Sequence, residues 1–446
     1  MLKKHLKICG NNVKVSERSK AEKIMQVEEI LDCSYKDRKK SHHDSGMSFA
    51  KYTRGIKNLQ KVLSASNDNN GKNSVYIHVP YCKKICSFCS MRRTINPVPD
   101  DYYKLIIKQI ENYGKTEYVK TSEIGSIYFG GGTPTALPSD RLALILQALY
   151  KNFNIKKNAE ISMETTISEL DEEKLKVLFD NGLNRLSIGV QTFNDTGRKI
   201  LGRIGSGTIA EAMIQKAFKT GFKNVNIDII YNYPDETEEI LQSDLQRAFD
   251  LDIAGFSFYS LIVMDTSKLG HNLDKAEFTS RTLKRDASFF ITIVNHARKA
   301  GYDFLEITKL VKPGRDNYEY IRTSHFGGNV FPVGAGAGGF VNGAAFMNPI
   351  EKDKFEKTAE NFDKTMGMLL SRAYKTVKRF SGQLQEGIVD LSLLTEKRIK
   401  KILPLLERLE EERLIQKLHD SDNFKFTDKG FFWGNTIAAE ISKTAF

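Results

Sequence analysis

The sequence is poor in cysteine and lacks any long apolar run. Five of its 446 residues are cysteine, an odd number, and three of these fall within eight residues. This usage argues against a disulfide framework and indicates a metal or redox site in a reducing compartment. No stretch reaches the roughly 18–20 uninterrupted apolar residues of a membrane span, and the start, MLKKHLKICGNN, has no secretory apolar core. We therefore expect a cytoplasmic protein without a membrane span.

Acidic residues are fewer than basic ones. The chain has 67 Lys and Arg against 55 Asp and Glu, a net charge of +12, and residues 1–70 carry 15 basic against 8 acidic residues. A basic excess suits nucleic acid, an anionic membrane surface or an acidic small molecule, and a Lys-rich genome produces the same excess. Charge alone therefore decides nothing about function.

Short β-rich segments alternate with helical patterns from Val75 onward. Repeated strand–helix units of this kind build a parallel sheet. We predict an α/β fold with a partial (β/α)6 TIM-like barrel, whose chemistry lies at the C-terminal ends of the strands. The six predicted strands are VYIHV, GSIYFGG, AEISMET, RLSIGVQ, NVNIDIIYN and GFSFYSLIV.

Changes in pattern along the chain predict four regions. A basic N-terminal extension, partly helical over Ser19–Leu31, precedes the barrel and ends in the linker-like SASNDNNGKN. A Gly-rich connecting region follows the barrel. The tail has the order helix, helix, short hairpin, helix, which is typical of a small winged-helix-like domain, with Trp433 in its core. The predicted regions are 1–70, 71–310, 311–375 and 376–446.

The clustered cysteines lie in YIHVPYCKKICSFC as C-x3-C-x2-C: Cys82, Cys86 and Cys89. Thiolates bind soft metals, and a structural zinc site would need a fourth ligand, which His78 offers. A 4Fe–4S cube held by three cysteines instead leaves one iron for an exogenous chelator. Because the loop follows the first barrel strand, where a ligand would sit, the cluster is the favoured interpretation and zinc the alternative.

Polar groups mark the ends of later strands. The glycines of YFGGGTPT allow a ligand to approach the backbone closely. Glu164 ends the third strand, Gln191 ends the fourth, and Arg203 follows twelve residues on. Asp228 stands inside an apolar strand, where an unpaired carboxylate would be costly, so we expect a polar partner beside it.

The cysteine loop and the glycine motif together resemble those of radical S-adenosylmethionine (SAM) enzymes. The resemblance implies a 4Fe–4S cluster on the three cysteines and a SAM molecule whose amino and carboxylate groups chelate the fourth iron. Reduction then cleaves a C–S bond and yields a 5′-deoxyadenosyl radical. The positions that match cofactor contacts are Tyr76, Phe88, Gly131, Gly132, Thr133, Glu164, Gln191, Arg203, Asp228 and Ile262.

Within this superfamily, the chain resembles the oxygen-independent coproporphyrinogen-oxidase-like group from Val75 to the C-terminus. Coproporphyrinogen dehydrogenase has a fourth cysteine two residues past the triplet, where this chain has Met91. The motifs GRDNYEYIRT, GAGAGGFVNGAAFMN and FTDKGFFWGNTI are more similar to the anaerobic haem-utilisation (HutW/ChuW) members. Ser90 replaces their usual Gly after the last cysteine, and YNYPDET replaces YGLPGQT.

The resemblance implies anaerobic haem breakdown of the anaerobilin synthase type. A methyl group would end on the tetrapyrrole, the macrocycle would open at a meso bridge, and iron would be released. The implied electron donor is a flavodoxin or a ferredoxin-type protein, whose acidity suits a basic chain. The alternatives are a haem chaperone, a coproporphyrinogen dehydrogenase and a radical enzyme that modifies RNA. Nucleic acid is not expected, because no Lys/Arg ladder with interleaved aromatics appears.

The sequence does not identify the haem-binding residues. Histidines are the candidates for an iron ligand or an acid/base group. His325 is a candidate iron ligand or acid/base group, although a structural histidine is the commoner role. His78 is a candidate for proton movement or for shaping the cluster loop. Further candidates are residues of the extension that cap a site and residues near the triplet that meet propionates: His42, His43, Arg92 and Arg93.

Overall fold

The protein is described by a computed structural model that covers most of the chain. The described residues are 25–41, 49–67, 71–89, 94, 97–273, 278, 282–419 and 421–446. No helix among them is both long and apolar enough to cross a membrane.

The strands are numbered β1 to β16 in chain order. Their bounds are Thr53–Asn58, Asn73–Val79, Glu123–Gly131, Asn154–Thr165, Arg185–Gln191, Asn224–Tyr231, Gly255–Ser260, Asp303–Glu306, Lys309–Val311, Asn329–Val333, Gly338–Val341, Ala344–Met347, Met366–Leu370, Ile388–Val389, Ile415–Lys417 and Phe424–Phe426.

The α-helices of the described residues are numbered α1 to α17. Their bounds are Val27–Leu31, Leu59–Leu63, Tyr102–Gly114, Glu117–Lys120, Ser139–Asn152, Glu172–Asp180, Asp195–Ile200, Gly207–Thr220, Glu238–Asp250, Lys268–Asn272, Thr282–Lys299, Glu319–His325, Lys352–Glu360, Arg372–Gln385, Glu396–Glu411, Asp428–Phe432 and Gly434–Ala445.

Among the described residues, thirteen strands form one sheet, and its centre is the predicted barrel. The order is β1-β13-β12-β11-β10-β2-β3-β4-β5-β6-β7-β9-β8. Strands β2 to β7 pair in parallel and in sequence order, and β10 pairs in parallel with β2. All six predicted strands are therefore confirmed, and the α/β fold with a largely parallel sheet is the predicted one.

Alternation along the central strands separates an apolar side from a polar side. Val75, Ile77 and Val79 of β2 are fully buried in the hydrophobic core. Their neighbours Tyr76 and His78 point the other way, because successive side chains of a strand alternate. Tyr76 aligns with Tyr128 of β3, and Tyr128 aligns with Ser162 of β4. The second side is thus lined by hydroxyls and other polar groups, and we call it the inner wall.

Regions predicted to flank the barrel contribute strands to the same sheet. Strand β1 lies within residues 1–70, and β10 to β13 lie within the Gly-rich region 311–375. Residues 25–41 also contact other regions: the Trp433 indole Nε1 donates to the Ile30 carbonyl at 3.0 Å. The four region boundaries themselves stay a prediction.

In the C-terminal region the predicted hairpin is confirmed but the order of the helices is not: only α15 lies wholly within 376–446 before the hairpin, where two helices were predicted, and two helices follow it, where one was predicted. Helices α14 and α15 precede a hairpin of β15 and β16, and helices α16 and α17 follow it. Strand β16 lies between β14 and β15 in a separate three-stranded sheet. Trp433 is fully buried and contacts the rings of Phe432 and Tyr35, so its predicted place in a core is confirmed.

Candidate functional site at the carboxyl ends of the strands

The cysteine loop follows β2 and is fastened to two other segments. Ser87, in the middle of the loop, donates its amide to the Leu201 carbonyl at 3.1 Å and its hydroxyl to the Ile200 carbonyl at 2.5 Å. The Leu269 amide of α10 donates to the Ser87 carbonyl at 2.8 Å. These bonds hold the loop beside the end of α7, at the C-terminal ends of β2 to β7. We call this end of the sheet the mouth of the barrel.

The three loop cysteines fit an iron–sulfur cluster by their chemistry. Each is half-buried and outside any disulfide. The Arg203 Nη1 lies 2.9 Å from the Cys86 sulfur, and the Thr133 hydroxyl lies 3.5 Å from the Cys82 sulfur. Both sulfurs therefore have a polar group beside them at the barrel end of the loop. Among the described residues, no three His, Cys, Asp or Glu side chains are gathered for a single metal ion, and this holds equally for the cluster and for the zinc alternative.

The glycine motif ends β3 where side chains would not fit. Gly131 has φ +113°, and a Cβ there would lie 2.7 Å from the His78 ring. A Cβ on Gly132 would lie 2.5 Å from the Tyr81 carbonyl oxygen. The Thr133 amide donates to that carbonyl at 2.8 Å. Glycine is therefore required here for the backbone to pass against β2 and the cysteine loop.

Glu164 lies beside the glycine motif on the inner wall. It accepts from the Tyr128 hydroxyl at 2.6 Å and from the Gly131 amide at 3.3 Å. Burial raises the pKa of Glu164 to about 7. The charge of Asp228 adds to this rise, and the two hydrogen bonds oppose it. Near neutral pH the carboxyl is thus divided between its acid and its ionised form.

Gln191 and Arg203 meet at the end of β5. Gln191 has φ +71°, next to a register irregularity in the pairing with β6. Arg203 donates through Nη2 to the Gly189 carbonyl. A Cβ on Gly189 would lie 3.0 Å from the Gln191 Nε2 and 3.3 Å from the Arg203 Nη2, so this glycine leaves room for both side chains. The buried Nε of Arg203 has no hydrogen-bond partner among the described residues, which suits a ligand carboxylate.

Asp228 has the polar surroundings expected for a carboxylate in an apolar strand. It is aligned with Ser257 of β7, which hydrogen bonds to it. Burial raises the pKa of Asp228, and the positive charge of Lys309 is the main opposing influence. The predicted polar partner is therefore confirmed.

The remaining predicted cofactor contacts lie around the same mouth. Tyr76 on the inner wall hydrogen bonds to the Nδ1 of His78 at 2.7 Å. Phe88 packs against the apolar cluster that contains Leu201 and Leu269. Ile262 is exposed just beyond β7. Their contact with SAM stays a prediction.

The two candidate histidines occupy different places. His78 is buried at the mouth, and burial lowers its pKa to about 4, so it is neutral at physiological pH. His325 ends α12, where its ring lies 3.4 Å from a Glu306 oxygen and 3.7 Å from a Glu386 oxygen. Neither glutamate is a predicted cofactor position, and the catalytic role of His325 stays a prediction. The further candidates His42, His43, Arg92 and Arg93 lie outside the described residues, as do Ser90 and Met91, which depart from the family pattern.

A stack of tyrosines beneath Glu164 was missed in the sequence. The rings of Tyr128 and Tyr320 stack at 4.5 Å, and Tyr320 stacks on Tyr76 at 5.7 Å. The Tyr318 hydroxyl lies 3.4 Å from that of Tyr128. Tyr318 and Tyr320 belong to GRDNYEYIRT, a motif noted only for its resemblance. The repeated aromatic residues at this motif were the available signal.

A buried charge network lies below the tyrosines and was also missed. Arg185 makes a bidentate pair with Asp316 at 2.9 and 3.0 Å. The Lys309 ammonium lies 3.3 Å from the same carboxylate and donates to the Asn226 side chain at 2.9 Å. Arg185 and Lys309 both face the ring of Tyr318, at 4.4 and 5.2 Å from its centroid.

The chain is similar to several known proteins. The sequence model of the Radical SAM superfamily matches residues 76–248. A haem chaperone, HemW of Lactococcus lactis, is 28% identical over 378 residues, which are 82% of this chain and 96% of the relative. Anaerobilin synthase of Escherichia coli O157:H7 is 27% identical over 380 residues, 83% of this chain and 84% of the relative. The structure of coproporphyrinogen III oxidase (HemN) from Escherichia coli covers 89% of this chain and 96% of its own, with a TM-score of 0.74 at 21% identity, which shows the fold.

Residues 76–248 are thus similar to the Radical SAM superfamily, and the fold is similar to that of HemN. More narrowly, the similar proteins are of the HemN/HemW-like coproporphyrinogen oxidase family. The Radical SAM superfamily match implies a 4Fe–4S cluster and SAM as cofactors, the same two that the resemblance of the cysteine loop and the glycine motif implies. The similarities to HemW and to anaerobilin synthase are nearly equal, so these relatives do not separate a haem carrier from a haem-degrading enzyme.

Proposed function

We propose that the protein is a radical SAM enzyme of anaerobic haem degradation, which methylates haem, opens the ring at a meso bridge and releases the iron. The observation that carries the radical SAM part is the position of Arg203, which joins the Cys86 sulfur to the Gly189 carbonyl at the end of β5. It brings the cysteine loop and the predicted cofactor positions to one mouth. Haem is supported as substrate by the similarity to anaerobilin synthase over 83% of the chain.

The residues at the mouth have distinct roles in this proposal. Cys82, Cys86 and Cys89 would hold the cluster, which when bound supplies the electron that breaks a C–S bond of SAM. Arg203 offers its unpartnered Nε to the SAM carboxylate. Glu164 in its ionised form accepts from the ammonium or from a ribose hydroxyl. The glycine backbone at 130–132 allows these groups to come close to the methionyl end.

The sequence favours haem degradation over coproporphyrinogen decarboxylation. Met91 stands where coproporphyrinogen dehydrogenase has a fourth cysteine, and the C-terminal motifs are more similar to those of the haem-utilisation members. A haem chaperone is the second candidate, because HemW of Lactococcus lactis is 28% identical over 82% of this chain.

The test is an anaerobic assay of the reconstituted protein with haem, SAM and a low-potential reductant. Degradation predicts loss of the Soret band, release of iron and a linear tetrapyrrole whose mass includes one added methyl group. A variant with all three loop cysteines replaced by Ala is the control and should leave haem intact. If haem is instead recovered intact, with its iron, and the wild type transfers it to an acceptor protein, the chaperone function replaces this proposal.

A further inference from the structure

Large apolar side chains are exposed side by side on β1, β12 and β13. Ile56 is 73% exposed, Met347 69%, Met366 54% and Met368 42%. Single exposed apolar residues are ordinary on a protein surface, whereas contiguous ones mark binding sites. The question is therefore whether these four form one surface.

The strand register shows that they do. Met368 of β13 is aligned with Ala345 of β12 on one side and with Ile56 of β1 on the other. Aligned residues on neighbouring strands point to the same side, as do residues two apart on one strand. Met347 is two residues beyond Ala345, and Met366 is two residues before Met368. We call the surface formed by these five residues the methionine face.

The methionine face continues the inner wall of the barrel. Tyr76 of the inner wall is aligned with Pro332 of β10. Val330, two residues before Pro332, is aligned with Phe340 of β11, and Phe340 is aligned with Ala345. The inner wall that carries Tyr76 and Glu164 and the methionine face therefore lie on the same side of the sheet, with the buried residues Pro332, Val330 and Phe340 between them.

The upper part of the methionine face lies toward the mouth. Met347 is aligned with Gly338, the first residue of β11. The turn that precedes Gly338 packs on His78: a Cβ on Gly334 would lie 2.3 Å from the His78 carbonyl oxygen, and one on Gly336 3.4 Å from the His78 ring. His78 in turn contacts Gly131 of the glycine motif. A ligand on this face would thus be close to the proposed radical site.

Helix α14 covers the lower part of the same surface, and the cationic side chain of Lys378 lies where the covered part meets the exposed part. Helix α14 packs there through Val377 against Phe340 and Leu370. The Lys378 ammonium lies 4.8 Å from the centroid of the Phe340 ring. Burial lowers the pKa of Lys378 to about 8, and no neighbouring carboxylate contributes to this shift. A second cation, Arg54, is exposed two residues before Ile56.

We propose that the methionine face binds the flat apolar surface of the tetrapyrrole substrate, with a substrate carboxylate at Lys378. The inference rests on the proposed function for the identity of the ligand. Methionine side chains are flexible and polarisable, so they suit a broad aromatic ligand whose shape changes during a reaction. The charge of Lys378 is not offset by a carboxylate and lies beside an apolar surface. This arrangement suits a ligand that is apolar in the middle and anionic at its rim.

The test measures porphyrin binding by the anaerobically reconstituted protein. Ferric haem and iron-free protoporphyrin are titrated against the wild type and the double variant M347E/M366E, with absorbance and porphyrin fluorescence as readouts. The double variant should bind both at least about tenfold more weakly, a change that corresponds to about 1.4 kcal/mol. Leu403, on α15, is 42% exposed, as Met368 is, so L403E against M368E is the matched control for a charge on an exposed apolar residue.

The carboxylate contact has its own test. K378Q should weaken protoporphyrin several-fold and leave its dimethyl ester unaffected, because the ester has no negative charge. Cluster absorbance and SAM affinity should be unchanged in every variant, which separates lost substrate binding from lost folding.

Three outcomes would overturn the assignment in distinguishable ways. Equal porphyrin binding by the wild type and M347E/M366E removes the methionine face as the site but leaves the proposed function standing. Absence of any tetrapyrrole binding by the wild type defeats both. A wild-type dimer that M347E/M366E converts to a monomer, with porphyrin affinity unchanged, would make the face a contact between two copies of the chain.

Discussion

Asp316 should contribute more to stability than any exposed acid of this protein. Its carboxylate faces two cations, Arg185 and Lys309, and none of the three side chains is more than 2% exposed. Replacement by Asn keeps the size but removes the charge. Arg185 would then remain buried and charged, because a guanidinium does not lose its proton at accessible pH. Burial already lowers the pKa of Lys309, so its deprotonation limits part of the cost.

Breaking a buried pair by removing one partner costs about 3–5 kcal/mol. We expect D316N to lower the free energy of unfolding by about this amount, measured from the first cooperative transition in urea by circular dichroism. The matched control is D180N, which breaks an exposed pair between Asp180 and Lys176 at 2.9 Å. Exposed pairs of this kind contribute about 0.5 kcal/mol or less.

The pH dependence gives a second check on the same reasoning. The neighbouring cations hold the pKa of Asp316 well below its usual range. For an acid whose folded-state pKa is depressed, the stabilisation is present above the unfolded-state pKa of about 4 and fades as the pH falls toward the folded-state value. The difference in the free energy of unfolding between the wild type and D316N should therefore become smaller in strong acid. A D316N protein within about 1 kcal/mol of the wild type at neutral pH would refute the argument, since the cost of a broken buried pair is several times larger.

Three further predictions concern the mouth. SAM affinity should rise roughly tenfold between about pH 6 and pH 8, as Glu164 ionises around its pKa of about 7, and E164Q should bind weakly with little pH dependence; calorimetry on the reconstituted protein measures both. Replacing the three loop cysteines by Ala should abolish the brown colour and the absorbance near about 400 nm, whereas C33A should keep them. G131A should lose SAM binding, because its Cβ would meet the His78 ring at 2.7 Å, whereas G71A has open space and should bind normally. A coloured triple variant, or a G131A protein with wild-type affinity, would contradict the site.

The fold and the mouth could be predicted because their signals are local. Each central strand shows in its own few residues, and parallel strands bring their C-terminal ends to one edge, so Glu164 and Gln191 could be placed together without knowledge of the packing. The cysteine spacing is likewise complete within one loop. The inner wall could not be predicted in this way, because its polar residues lie on different strands and their proximity follows from the register between the strands.

The charge network and the sheet extension could not be predicted, because their signals are distant in sequence. Arg185 and Asp316 are 131 residues apart, and no local sequence pattern around either residue predicts that they pair. Strands β10 to β13 are only four or five residues long and lie in a Gly-rich region, so their sequence resembles a connection. Only their pairing with β2 on one side and β1 on the other shows that they extend the barrel sheet.

The buried network beneath the mouth also bears on function through one line of contacts. Arg185 and Lys309 face the ring of Tyr318, whose backbone φ of +47° is unusual for a bulky residue. The Asp316 carboxylate accepts from the Tyr318 amide at 3.1 Å and so helps to hold that conformation. Tyr318 meets Tyr128, and Tyr128 donates to Glu164. If this line positions Glu164, D316N should weaken SAM binding as well as stability, whereas a destabilising change elsewhere in the core would leave the affinity of the folded protein unchanged.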